Sequence, residues 1–105
     1  MGPFSVHENQ NPSRREDVPF LLDIQSDLLS GLATRLVVPL VRPETLRAGP
    51  MTRLAPVLRF RERDLVAMVP EMAAIPRHHL GPIAGDLAQL RGEWLKAVDF
   101  LLTGF

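Results

Sequence analysis

Proline restricts this chain more than any other residue. Ten prolines punctuate its 105 residues, from Pro3 to Pro82. Each lacks a backbone N–H and fixes φ, so helix interiors and central sheet positions both reject it. The spacing excludes a long helix before residue 82. It predicts a mainly β (α+β) protein of short strands divided by turns, closed by one helix.

The apolar segments between the prolines fit that frame. Residues 4–7 read as a brief strand, followed by a polar loop over 8–17 rich in Asn, Pro and Arg. Residues 20–24 read as a buried strand. Residues 34–40 read as another, because Val37 and Val38 are β-branched, while Pro39 pushes this strand toward a sheet edge. Residues 56–60 alternate, 61–64 turn and 65–69 return, which predicts a hairpin. The sequence contains neither repeats nor low-complexity tracts.

The helix has the clearest pattern. Pro82 suits a first-turn position, and Ile83, Leu87, Leu90, Trp94, Ala97 (or Val98) and Leu101 recur at three- or four-residue steps. This stripe packs on the sheet, and its large side chains contribute about 1.5–3 kcal/mol each when buried. Leu95 and Leu102 lie off it, near Arg91 and Asp99, so a second, partly apolar face has something else to touch. Gly92 costs about 1 kcal/mol relative to alanine in mid-helix, which predicts a close backbone approach there.

Composition narrows the function. A chain of 105 residues corresponds to a single domain over 1–105 with a modest core. Twelve basic and twelve acidic residues cancel, which argues against a broad basic face for nucleic acid. Eleven arginines to a single lysine, Lys96, suit ion pairs and partner surfaces. The absence of cysteine removes disulfides, zinc-thiolate sites and a thiol nucleophile. No apolar run approaches the length of a membrane helix, and MGPFSVHENQNPSRRED carries no signal-peptide pattern. A cytoplasmic protein without membrane association is expected.

The chain closes with DFLLTGF, which holds an anion, no cation and four large apolar side chains. A helix ending in water normally places Lys, Arg or His there, against the negative end of its dipole. A partner surface covering this segment would explain the composition.

Three polar groups are candidates for chemistry. Asp23, Ser26 and Asp27 form a potential catalytic set, but short polar residues after a strand ordinarily hold a turn, and no GxSxG elbow surrounds Ser26. His7, His78 and His79 offer potential metal ligands, yet no HExxH spacing exists, and adjacent histidines on an extended chain point apart. They read as surface residues. Arg59, Arg61 and Arg63 around Phe60 suggest RNA contact, although an exposed hairpin face diluted by Glu62 and Asp64 accounts for them. No catalytic residue, metal or cofactor is assigned.

Several of these segments together resemble a known family. Asp23-Ile24-Gln25-Ser26-Asp27 after an apolar strand, Arg35-Leu36-Val37-Val38-Pro39-Leu40, Pro56-Val57, Met72-Ala73-Ala74-Ile75-Pro76 and a closing helix ending in Gly104 and an apolar residue are similar in order and spacing to the CcdB toxins of CcdA/CcdB toxin–antitoxin systems. The match spans essentially the full chain, and only the loop over 8–17 looks longer than in plasmid-type members.

The resemblance implies a small antiparallel SH3-like barrel of the CcdB/MazF type, with a C-terminal helix and a two-fold homodimer. It implies a topoisomerase poison that acts by binding the DNA gyrase A subunit and trapping the gyrase–cleaved DNA complex. Neutralisation by a CcdA-like antitoxin, and autoregulation with it, follow by the same resemblance, with DNA contacted only through antitoxin or gyrase. Carried over position by position, the gyrase contacts are Leu28, Leu29, Asp99, Leu102, Thr103, Gly104 and Phe105. Thr103 departs from the pattern, since plasmid-type members carry a tryptophan there that stacks on a gyrase arginine. The alternatives are a MazF-like endoribonuclease toxin of the same barrel fold and a non-toxic homologue that only binds antitoxin.

Overall fold

The computed structural model describes residues 4–25, 27–29, 31–46 and 55–104. Over these residues seven strands precede an α-helix: β1 (Ser5–Asn9), β2 (Phe20–Asp23), β3 (Thr34–Val41), β4 (Val57–Phe60), β5 (Arg63–Ala67), β6 (Ala73–Pro76), β7 (Leu80–Asp86) and α1 (Arg91–Thr103). All pairings are antiparallel. The path β4-β5-β3-β2-β1-β7 forms a curled half-barrel, and β6 joins it by pairing with β3.

Strand β3 organises this sheet. One edge pairs with β2, placing Phe20 opposite Leu40 and Asp23 opposite Val37. The other edge is shared: β6 takes Thr34 to Val37, and β5 takes Leu40 and Val41. Pro39 stands at the handover between them. Its carbonyl accepts the Met68 N–H at 3.0 Å on that side. A strand residue's N and O point the same way, so the missing N–H faces the gap between ladders. A proline expected at a sheet edge therefore sits in the most heavily paired strand, at the one kind of position that needs no donor.

Alternation along the strands makes two buried faces. Val6, Phe20, Leu22, Val38, Leu40 and Leu65 turn toward one side and form the core with Leu87, Trp94 and Ala97. Ser5, His7, Asp23 and Arg35 alternate with core residues and lie on the other side, where all four are buried. The chain crosses over this second face between β6 and β7, since Pro76 is registered with Thr34 and Leu80 with Asn9.

The hairpin forms as expected, with tighter bounds. Its turn is only Arg61 and Glu62, at φ 52° and 64°. Two left-handed residues match the twist of the flanking strands, although Asn-Gly is the usual way to supply them. Phe60 packs edge-on against Phe20 with centroids 5.1 Å apart. Val69 belongs to the 3-10 turn Val69–Glu71 and not to the returning strand.

The helix is shorter than its periodicity suggests. Pro82 and Ile83 belong to β7, which pairs with β1, and Ile83 is 54% exposed. Proline is tolerated here because β7 is an edge strand and the register shifts between His7 and Asn9. The chain then passes through a 3-10 turn at Ala88–Leu90, whose Ala88 N–H is capped by Asp86 Oδ1 at 3.1 Å, before α1 begins. From Leu87 onward the stripe is as expected: Leu87, Trp94 and Ala97 are buried, and Leu90, Val98 and Leu101 pack against them.

Other local expectations also change. Gly92 is the second residue of α1 rather than mid-helix, and among the described residues a Cβ there would meet nothing within 4 Å, so no close backbone approach is seen. His7, expected at the surface, is buried and its Nδ1 lies 3.0 Å from the Gly81 carbonyl. His78 and His79 sit on a 3-10 turn, not an extended segment, and their rings meet edge to face at 4.4 Å. Arg59, Arg61 and Arg63 are exposed, as an outward hairpin face predicts.

Candidate functional site

The contact residues expected from sequence divide between two elements, the end of α1 and the 3-10 turn Asp27–Leu29. Ser26 and Phe105 lie outside the described residues.

Helix α1 runs over 13 residues and closes at Gly104, whose φ of 77° is the left-handed cap that glycine adopts without a Cβ clash. The Gly104 N–H donates to the Phe100 carbonyl at 2.9 Å. The Thr103 hydroxyl donates to the Asp99 carbonyl at 2.7 Å, so its polar group is satisfied within the helix and its methyl is left to a neighbour. At 100° per residue, Leu95, Asp99, Leu102 and Thr103 share an arc of about 100°. All four are exposed, and Leu102 reaches 73%. Buried Trp94 and Ala97, with partly buried Leu101, occupy the opposite side. The helix thus has a core face and a distinct outer face carrying two leucines and a carboxylate.

The second element follows β2. Leu28 is 95% exposed, and Leu29 and nearby Leu32 are each half exposed. A fully solvated leucine on a short turn is costly to order unless the backbone is held from behind. Here it is held. Asp23 Oδ2 accepts from Arg35 Nε at 2.8 Å, and neither side chain is exposed. Asp23 Oδ1 accepts the Gln25 N–H at 2.9 Å, an Asx-type turn. The Gln25 carbonyl accepts from Arg35 Nη2 at 3.2 Å. Gln25 Oε1 accepts the Leu36 N–H at 3.0 Å, and its Nε2 donates to the Leu29 carbonyl at 3.1 Å. Every polar group of Gln25 is engaged, and one of its bonds reaches the leucine turn.

Asp23 therefore holds a turn, as its residue type suggested, and its partner is the buried Arg35 rather than a catalytic histidine. Sequence reading assigned no role to Arg35 or Gln25. Their partnership follows from the β2–β3 register, for which the sequence carries no local signal.

Within the chain α1 packs through Trp94 and Ala97 into the cluster that holds Phe20, Leu22, Phe60 and Val69.

The opposite side of the sheet carries an open groove of about 620 Å³. Leu21, Pro39 and Ile75 line it, with Arg14, Glu71, His78 and His79 also on its walls. Among the described residues no cluster of three His, Asp or Glu side chains could hold a metal ion. Among the same residues no helix is long and apolar enough to cross a membrane.

A curled antiparallel sheet with one C-terminal helix, carrying exposed leucines on the helix and on the turn after β2, defines a small, mainly β protein. The sequence model of the family described as CcdB protein matches residues 3–104, and the chain belongs to that family. Membership places it among the toxins of toxin–antitoxin systems that act on gyrase.

Proposed function

We propose that this protein poisons DNA gyrase by binding its A subunit through the outer face of α1 and the Asp27–Leu29 turn. The contact residues are Leu28, Leu29, Asp99, Leu102, Thr103, Gly104 and Phe105. The observation that carries this reading is the row of exposed leucines, Leu95 and Leu102, on the helix face turned away from the core. Two leucines one heptad apart on a face turned away from the core suit an interaction surface. Asp99 on the same arc suits an arginine of the partner. Thr103 supplies no aromatic anchor, so the leucines carry most of the contact.

The active form is a homodimer, which sets the leucine turn and helix end of each protomer beside those of its partner. A CcdA-like antitoxin neutralises it by laying a disordered segment across the sheet edge and the loop over 8–17, which gains order on binding. The complex acts in the cytoplasm and touches DNA only through antitoxin or gyrase. Two groups an endoribonuclease reading would draw on are otherwise engaged: His7 is buried, and Arg59 is tied to Asp64 at 3.0 Å.

Purified protein should stabilise gyrase-dependent DNA cleavage in vitro and bind the isolated A subunit. It should be dimeric by sedimentation at tens of micromolar. RNA should survive incubation with it. Absence of both gyrase binding and cleavage enhancement would defeat the proposal.

A further inference from the structure

We infer that Gln25 is a positioning residue: it holds the Asp27–Leu29 turn against the buried Asp23–Arg35 pair, so that Leu28 and Leu29 meet the partner already ordered. The inference deepens the gyrase reading and rests on it.

The geometry separates two tasks within one side chain. Gln25 Oε1 accepts from Leu36 N–H and fastens the residue to β3. Its Nε2 donates to the Leu29 carbonyl, which also accepts the Leu32 N–H at 3.1 Å. The Gln25 backbone is fixed on both sides, its N–H by Asp23 and its carbonyl by Arg35. The arm reaching Leu29 thus springs from a backbone clamped by a wholly buried ion pair. Ordering a loose turn during association subtracts directly from affinity, and a turn ordered beforehand avoids that cost.

Glutamate is the discriminating replacement. Gln25→Glu keeps an acceptor for Leu36 N–H. It removes the donor to Leu29 and sets two acceptors against each other. The fold should persist while the leucine turn loosens.

The experiment compares wild type, Gln25→Glu, the Leu28→Ala/Leu29→Ala pair and the triple variant by thermal melting, amide exchange and binding to isolated gyrase A. Gln25→Glu should melt as wild type and bind about tenfold more weakly, the cost of ordering one or two rotamer-rich side chains. The Leu32 amide should exchange faster while Leu36 stays protected. In the leucine-less background Gln25→Glu should change affinity no further, because its effect passes through those leucines. Should the added charge lower the melting temperature, neutral and shorter Gln25→Asn carries the same comparison.

Full affinity in Gln25→Glu, with the leucine pair weakened, overturns this inference and leaves the contact reading standing. Additive losses in the triple variant also overturn it. Wild-type binding by the Leu28→Ala/Leu29→Ala pair overturns the assignment of the turn as a contact, and the inference with it.

Discussion

Arg35 Nε donates to Asp23 Oδ2 at 2.8 Å in an ion pair with no solvent exposure on either side chain. The two residues are 12 apart in sequence and come together on adjacent strands. Burial at this depth is tolerated because the pair is hydrogen-bonded further: Asp23 to the Gln25 N–H, and Arg35 to the Gln25 carbonyl. Among the described residues Arg35 Nη1 has no acceptor, so the desolvation of the guanidinium is not fully offset.

That geometry predicts an asymmetry between single and double substitutions. Asp23→Leu or Arg35→Met alone leaves a buried charge unpaired and should cost about 3–5 kcal/mol. The double variant Asp23→Leu/Arg35→Met should recover most of the loss, because neither charge remains. Urea unfolding of the three variants measures this, and a double variant as unstable as either single one would contradict it.

Leu102 tests the outer helix face. Leu102→Arg changes a side chain that is 73% exposed, so folding stability should shift by less than about 0.5 kcal/mol. Binding to gyrase A should be lost. Thr103→Trp should keep or strengthen binding, since it adds an aromatic anchor at an exposed position. Thermal melts alongside calorimetric titration separate the two effects, and unaltered binding by Leu102→Arg would remove this face from the interface.

Two glycines should respond in opposite directions. Gly92 lies in the first turn of α1 with open space where a Cβ would stand, so Gly92→Ala should stabilise, by less than the roughly 1 kcal/mol of a helix interior. Gly81 lies in β7, where a Cβ would strike the Glu8 carbonyl oxygen of β1. Backbone on both sides leaves nothing flexible to yield, and Gly81→Ala should lower the melting temperature. A stabilising Gly81→Ala would mean that the β1–β7 approach is looser than observed.

Within the core stripe, Trp94→Ala should be the most damaging helix substitution, at about 3–5 kcal/mol, because the indole is fully buried. Leu101 is only half buried at the edge of the same cluster, so Leu101→Ala should cost less. Equal losses in denaturant unfolding would show that the helix end is anchored as deeply as its middle.

The sequence by itself determined whatever depends on neighbours a few residues away. Proline spacing excluded early helices, alternation over 56–60 located the hairpin, and three- and four-residue steps from Leu87 to Leu101 set the buried face of α1. The same periodicity left Leu95 and Leu102 outside. Only the tertiary structure decided the rest. Pro82 and Ile83 fit a helix pattern until β1 offers a ladder to pair with. Pro39 looks like an edge residue until β5 and β6 divide one side of β3 and leave a gap for its ring. Buried His7 meets the carbonyl of Gly81, 74 residues away, and Asp23 meets Arg35 through strand register. Local patterns report which face of an element is apolar. Which element covers that face is set by pairings between distant segments, whose hydrogen bonds leave no periodic trace in either one.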